Sequence, residues 1–359
     1  MKINFKYISF KRLYIHFCFL ALLNIFFSTD NINAKTFSIN DVEISTPFEI
    51  NFDKNEIIDK GFVQAYEQLI LSITQTKNQE KLKNTSLGII KGMIETFSIN
   101  EEKFINEIYY LSLNVSFSKE KLFNLLESKN IFPSLPIKKN VFFMPIIIDE
   151  NKDDILMFSE SDLFKQWNLN TKNFHLLNYV LPTEDIEDFN IIKKNLQNLE
   201  NYDFKEIIQK YNLSDYIITI IFKNEKEIRV LNKIYFNEKI DLKNLNFKNL
   251  SINNNQEIKE FTDNLKIIFE NYWKSKNEIN TSVRLSLKVS IGNQDNSRVS
   301  DFEEMLSNID LIYDFNILKL QNKNSIYKII FNGSPDYFLK IMKNMNYEFN
   351  TQNQIWVLK

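Results

Sequence analysis

The stretch Val283-Arg284-Leu285-Ser286-Leu287-Lys288-Val289-Ser290-Ile291 decides how the chain is read. Apolar and polar residues alternate through it without a break, so one face of an extended strand is buried and the other is wet. Downstream, Ser300 and Glu303 read as a capping box that opens a helix with Phe302, Met305, Leu306 and Ile309 on one side. Two strands follow, at residues 313–320 and 326–331. Gly333-Ser334-Pro335-Asp336 then supplies a turn, an N-cap, a first-turn proline and a carboxylate matched to the helix dipole. The next helix buries Phe338, Ile341, Met342 and Met345. Residues 355–358 close the chain as a strand on which Trp356 is expected to be substantially buried in or beside the C-terminal core. Strand-helix-strand-strand-helix-strand is the split βαβ, or ferredoxin-like, arrangement.

Upstream lies Val141-Phe142-Phe143-Met144-Pro145-Ile146-Ile147-Ile148, an unbroken apolar run that suits a strand buried on both faces. Pro145 counts against a central position unless a bulge absorbs it. Further strands are expected at 176–181, 216–222 and 227–236, with helical pattern at 186–211 and a long helix at 256–274. Strands alternating with helices imply an open α/β layer. Before it, residues 37–52 read as a strand pair or hairpin. Asp53 and Glu56 open a helix carrying Ile58, Phe62, Ala65, Leu69 and Ile73. Strands at 93–99 and 107–117 and a short helix capped by Ser118 complete an α+β unit.

The fold class is therefore α+β / α/β in three modules: an N-terminal α+β module at 35–135, a central α/β module at 136–280, and a ferredoxin-like module at 281–359. A length of 359 residues suits two or three domains. Ahead of them, residues 1–34 read as a signal peptide. Lys2, Lys6, Lys11 and Arg12 precede an apolar run broken by His16 and Asn24, and a polar segment ends Ile32-Asn33-Ala34. Cleavage is expected between Ala34 and Lys35, which places the mature protein in the periplasm with no transmembrane span. An uncleaved anchor is the rival reading, although the apolar run is shorter than the roughly 20 residues a span needs. A lipoprotein is not indicated, because Ile15-His16-Phe17 before Cys18 lacks small residues.

Composition excludes several function classes. Only three alanines and four arginines occur, the signature of an AT-biased genome, so lysine and asparagine runs are not nucleic-acid patches. Removing the leader's four cations and Asp30 from totals of 44 basic and 46 acidic residues leaves 40 and 45. A net charge of −5 gives no long-range attraction to phosphate backbones, so no nucleic-acid partner is expected. Cys18 is the sole cysteine and His175 the only histidine after the leader. Zinc sites and Cys/His nucleophile pairs are thereby closed. The five scattered glycines form no phosphate loop, and no cofactor is expected. Ser118 and Lys121 have the Ser-x-x-Lys spacing of acylating enzymes, yet Ser118 is explained by capping.

Two acidic clusters remain. Asp149, Asn151, Asp153 and Glu160 have the ligand spacing of a calcium loop, but Asp154 stands where such a loop needs glycine, Met157 has no oxygen, and a strand leads in. A solvated turn is the expectation, with no metal. Glu184, Asp185, Glu187 and Asp188 cluster at a helix start, where the dipole accounts for them. They are the candidate binding residues, expected to be exposed; no catalytic residue is assigned.

The mature chain also resembles a proteobacterial family of exported proteins, domain of unknown function number 2066. The likeness rests on Gly61-Phe62-Val63-Gln64-Ala65-Tyr66-Glu67, the strands and helix after Ile105, and the segment from Val141 to Trp167. It extends to Leu181-Pro182-Thr183-Glu184-Asp185-Ile186-Glu187-Asp188 and to the closing helix and tryptophan. That family usually has glycine where Glu184 stands here. The resemblance implies an exported protein and no particular activity; the layout looks similar to flagellar collar proteins and to the N-terminal domain of the Tol-system propeller protein. The expected function is non-catalytic binding or scaffolding with another component of the cell envelope. The alternative is a periplasmic hydrolase, which requires the four acids to converge on a cleft.

Overall fold

The computed structural model describes residues 36–359 other than 51, 170, 225–226, 249–251, 253 and 282–283. The leader with its cleavage site, and Val283, lie outside the described residues. The first part of the chain holds β1 (Thr36–Pro47), α1 (Lys54–Ile73), α2 (Leu87–Met93), β2 (Ile94–Ile105), β3 (Ile108–Ser118) and α3 (Lys119–Ser128). Its antiparallel sheet has the order β1-β3-β2. β3 takes the middle because Leu111, Leu113, Val115 and Phe117 all enter one apolar cluster with Phe62, Ala65, Leu69 and Ile73 of α1. A Cβ at Gly61 would stand 2.5 Å from Leu113 Cδ1 and 2.9 Å from Ile44 Cδ1, so helix and sheet approach too closely for a side chain there.

The expected hairpin at 37–52 is one strand, β1. Asp41 takes a positive φ of 55° at a register shift between Ile39 and Val42, which makes a bulge and not a turn. β2 runs six residues past the expected end at Ile99, through the polar stretch Asn100–Ile105 that hides it in the sequence.

The central part holds β4 (Lys139–Asp149), β5 (Asp154–Leu156), α4 (Asp162–Gln166), β6 (Leu177–Val180), α5 (Ile186–Lys194) and α6 (Lys205–Gln209). β7 (Tyr216–Lys223), β8 (Glu227–Phe236), β9 (Lys239–Lys248) and α7 (Asn255–Lys276) follow. The strand order is β5-β4-β7-β8-β9, with β6 also beside β4. β4 feeds two cores. Val141, Phe143 and Ile147 pack with Phe261, Leu265, Phe269 and Trp273 of α7. Phe142, Met144, Ile146 and Ile148 pack with Ile192, Phe204, Ile207 and Ile208 on the opposite face. That division explains the unbroken apolar run. It also explains Pro145: β6 pairs with residues 139–142 and β5 with 147–149, leaving a gap where a residue without an N–H is tolerated.

The last part holds β10 (Arg284–Gly292), α8 (Asn296–Asn308), β11 (Ile312–Leu320), β12 (Asn324–Asn332), α9 (Pro335–Asn344), β13 (Phe349–Asn350) and β14 (Trp356–Leu358). β12 lies between β10 and β11 and is antiparallel to both, so β10-α8-β11 is a split βαβ unit. The end of the chain departs from the simple ferredoxin-like pattern. β13 adds a hairpin, which turns β14 parallel to β10 and leaves β13 at the edge. α8 is capped by Asp295, which accepts from Ser297 N at 2.9 Å, so Ser300 is not the cap. Glu303 instead accepts from the Tyr327 hydroxyl at 2.5 Å. Ser334 caps α9 through Tyr337 N at 3.2 Å, with Pro335 in the first turn, as expected. Trp356 is half-buried, 6.1 Å from the Phe338 ring and 6.4 Å from that of Phe349, and not fully enclosed.

Side chains of the first and last parts share one apolar cluster. The central part is strung between them through two adjacent crossings, where Leu135 N donates to Asn277 O at 3.3 Å and Ile279 N to Pro133 O at 2.7 Å.

Trp167, fully buried and stacked on Phe143 at 3.8 Å between centroids, anchors the α7 side of the central sheet. Trp167→Ala should cost about 3–5 kcal/mol. Urea unfolding should show a lower midpoint at unchanged slope; an unaltered midpoint would remove Trp167 from the core.

Candidate functional site

The four acids at the start of α5 do not behave alike. Asp185 is the N-cap, accepting from Glu187 N at 2.8 Å, while Glu184 and Glu187 face solvent and Glu184 accepts from Ser159 Oγ at 2.7 Å. Asp188 overturns the expectation that all four are exposed, because its side chain is wholly buried. One helical turn beyond the cap, it faces the core that Ile192 enters. Lys210, just after α6, bridges Asp185 Oδ2 at 2.8 Å and Asp188 Oδ1 at 2.6 Å. The hydrogen bond from Lys210, and then that from Glu187 N, holds Asp185 below the usual carboxylate range. Lys210 itself is held above its ordinary value by Asp185 and Asp188. Two acids thus converge on one lysine, and two splay outward. This is a clamp that pins α5 to α6.

The loop with calcium-like spacing is a hairpin turn. Asp149 and Asp154 face each other across β4 and β5. Asp149 Oδ1 accepts from Asn151 N at 3.1 Å and Lys152 N at 3.3 Å, so this carboxylate is committed to the turn backbone. Asp153 takes a positive φ of 51°, which aspartate tolerates. Glu160 lies beyond, in the short 3₁₀ turn Phe158–Glu160. Among the described residues, no group of three or more histidine, cysteine or acidic residues is placed to hold a metal ion. Ser118 occupies the N-cap position of α3 without a side-chain bond to the helix, and Lys121 lies 3.8 Å from Glu95 and so turns to β2.

His175 lies beside charged residues of α7. On α7, Lys266, Glu270 and Lys274 follow one another at four-residue intervals, and all three are buried. Glu270 accepts from Leu176 N and Leu177 N at 3.0 Å each, anchoring the start of β6. Lys266 donates to Trp167 O, and Lys274 to Leu71 O. Burial raises Glu270 despite these partners, and burial lowers both lysines. The signal was present in the sequence: charges at the same helical spacing as Leu265, Phe269 and Trp273 occupy a face that must be buried.

The sheets offer a different kind of feature. β2 forms one edge of its sheet, and every residue after Ile94 is exposed. Along it Phe104 is 57% exposed, Ile105 49% and Ile99 39%. β9 and β11 are also edge strands, with Leu242 and Leu320 exposed. Among the described residues, no helix is long and apolar enough to cross a membrane.

No family model matches the chain, and no curated protein matches it. The roles of the residues above therefore rest on their geometry.

Lys210→Met should strand the buried Asp188 and cost about 1–3 kcal/mol, measured by thermal unfolding. Adding Asp188→Leu should recover most of that loss, because an apolar pair removes the unpaired charge. If the double variant is no better than the single, Asp188 is not the group that needs Lys210.

A second expectation concerns pH. Burial, and then the charges of Lys266, Lys274 and Lys172, push His175 from its ordinary 6.5 down to about 4. Between those values the unfolded chain binds a proton that the folded chain refuses, so this residue's contribution is complete above 6.5 and is lost as pH falls to 4. Glu270 shifts the opposite way but is common to parent and variant. The difference in unfolding midpoint between His175→Gln and the parent should be flat above pH 6.5 and move in the variant's favour toward pH 4. A constant difference would mean that His175 titrates normally.

Proposed function

We propose that this is an exported, periplasmic protein that holds another component of the cell envelope and performs no chemistry. One observation carries the reading: β2 is a long strand at a sheet edge, paired with β3 on one side and with no strand on the other, and apolar side chains along it are exposed. Such an edge offers free backbone donors and acceptors to an extended partner segment, and side chains that select it. Charges on Glu101, Glu102 and Lys103 and two register shifts temper the edge, as sheet proteins do to avoid indiscriminate pairing. The leader supports export. The resemblance to an exported family fits the same reading.

The hydrolase alternative draws less support. A catalytic carboxylate must reach substrate, whereas Asp188 is buried and Asp185 is occupied by its helix and by Lys210. Glu184 and Glu187 stand in solvent and do not converge with them.

The test is capture of envelope partners on the tagged mature protein after cross-linking in cells. A partner recovered by the parent should be lost with Ile99→Lys/Ile105→Lys, which places charge on the exposed edge without touching a buried residue. Retention of every partner by that variant would remove β2 as the docking strand. Hydrolysis of peptidoglycan, peptide or ester by the purified protein, abolished by Glu184→Gln/Glu187→Gln, would establish the enzyme instead.

A further inference from the structure

β11 is an edge strand of the last sheet: β12 pairs with it on one side and, among the described residues, no strand lies on the other. The backbone donors and acceptors of that outer side are open to a further strand. Ile317 is 45% exposed, Leu318 48% and Leu320 69%. Asp314 and Lys319 are exposed too, and neither forms an ion pair among the described residues. Tyr313 is occupied, stacked by the Arg284 guanidinium at 3.9 Å and donating to Glu120 at 3.3 Å, so the free edge begins at Asp314.

The faces of this strand say what kind of partner would fit. Phe315, Ile317 and Leu320 stand opposite Ile329, Tyr327 and Ser325 of β12, all of which are buried, so the three share the core-side face. Asp314, Asn316 and Lys319 stand opposite Ile330, Lys328 and Ile326 and share the other face. Asp314 and Lys319 are five residues apart, which in an unbroken strand would put them on opposite faces. Leu318, the extra residue at the register shift between Ile317 and Lys319, brings them to the same one.

Two antiparallel strands related by a two-fold axis normal to their sheet set like face beside like face, and if i meets j then j meets i. With the axis at Asn316 and Leu318 taken as the bulge, Asp314 meets Lys319 of the second copy and Lys319 meets its Asp314. Phe315 and Ile317 meet each other in the same reciprocal way, and Asn316 meets Asn316. Opposite charges and apolar pairs directly across a ladder stabilise it, and like charges oppose it. With the faces matched, no other register sets Asp314 against Lys319. The other two edges lack this self-complementarity. On β2 the register that sets Lys103 against Glu101 also sets Glu102 against Glu102. β9 has one acid, Asp241, already committed to Tyr272 and Lys276.

We propose that β11 joins a second copy of this chain, antiparallel and about a two-fold axis at Asn316, so that one sheet runs through both copies. The contact uses no residue of β2 and is independent of any partner held there.

Sedimentation equilibrium of the mature protein tests it. The parent should reach twice the monomer mass at about 100 µM, with a Kd of about 10 µM or tighter. Asp314→Lys and Lys319→Asp each set like charges against each other at both ends of the register. Each variant alone should therefore associate at least about tenfold more weakly, at the parental unfolding midpoint, since both side chains are exposed. Mixed in equal amounts, the two variants should associate as the parent does, because every charge then meets its opposite. The Asp314→Lys/Lys319→Asp double variant should do the same. The proposal is overturned if the parent stays monomeric at about 100 µM, if both single variants associate as the parent does, or if neither the mixture nor the double variant recovers. Loss of association in Ile99→Lys/Ile105→Lys would place the contact at β2 and overturn it equally.

Discussion

Everything in this protein turns on the joint at which α1 ends. The last carbonyls of a helix have no intrahelical partner and must be satisfied from outside. In α1 that outside is the rest of the molecule. Ile73 O accepts from Ser134 N at 2.7 Å and from Ser134 Oγ at 3.1 Å, and Leu71 O accepts from Lys274 of α7. Ser134 sits in the first crossing to the central part, Lys274 near the second. Trp273 Nε1 then donates to Ile137 O at 2.8 Å, so the first crossing is also tied to α7. A cation at the C-terminal end of α1 is also favoured by the helix dipole. One helix end therefore fixes both points at which the central sheet is strung into the chain.

This arrangement accounts for buried charge that would otherwise be costly. Burying a lysine requires a partner for its ammonium group, and Lys266 and Lys274 use backbone carbonyls. Glu270 stands between them and uses the first peptide groups of β6. The three charges make α7 specific: its apolar face could pack on many surfaces, but its ionic groups match one set of backbone atoms. Breaking any one link leaves a buried group unpaired. The same logic applies on a smaller scale at Lys210, which joins two short helices through Asp185 and Asp188.

Much of this was legible from periodicity and little from composition. The alternation in β10 and the continuous apolar run of β4 announced one-faced and two-faced strands, and both fit the cores that enclose them. Local signals misled where a polar residue had two possible uses. The stretch 37–52 reads as a strand pair or hairpin yet is one strand with a bulge at Asp41, and Ser300 looks like a cap yet lies inside a helix begun by Asp295. β9 escaped notice because its polar positions are the lysines and asparagines that the genome supplies everywhere. The acids at 184–188 were visible as a cluster, but the clamping of Asp185 and Asp188 depends on Lys210, which lies beyond α6 in the chain. His175 drew attention as a lone histidine. Its neighbours on α7 did not, because a charged residue on an amphipathic helix is by default assigned to solvent.

Among the edge strands of the three sheets, β2, β9 and β11 are each handled differently. β11 is the outermost strand of a sheet whose opposite edge is the short β13 of the closing hairpin. β9 carries Lys239, Asp241, Lys243 and Lys248, and Asp241 accepts from the Tyr272 hydroxyl and pairs with Lys276 at 3.0 Å, which holds that strand against α7. β2 is tied down at separated points: Phe97 meets Phe62 at 5.0 Å, Phe104 meets Phe48 at 4.9 Å, and Glu102 takes Lys54 and the Tyr109 hydroxyl. Between those points lie Ile99, the bulge after it and Asn100. Asn100 bonds across the sheet to Asn114 at 2.7 Å and to Asp41 at 3.1 Å. The strand is thus held in an extended shape from both faces of its sheet, while its outer edge has no strand beside it. An edge so pre-ordered needs little further ordering to accept a partner strand, which lowers the entropic cost of docking.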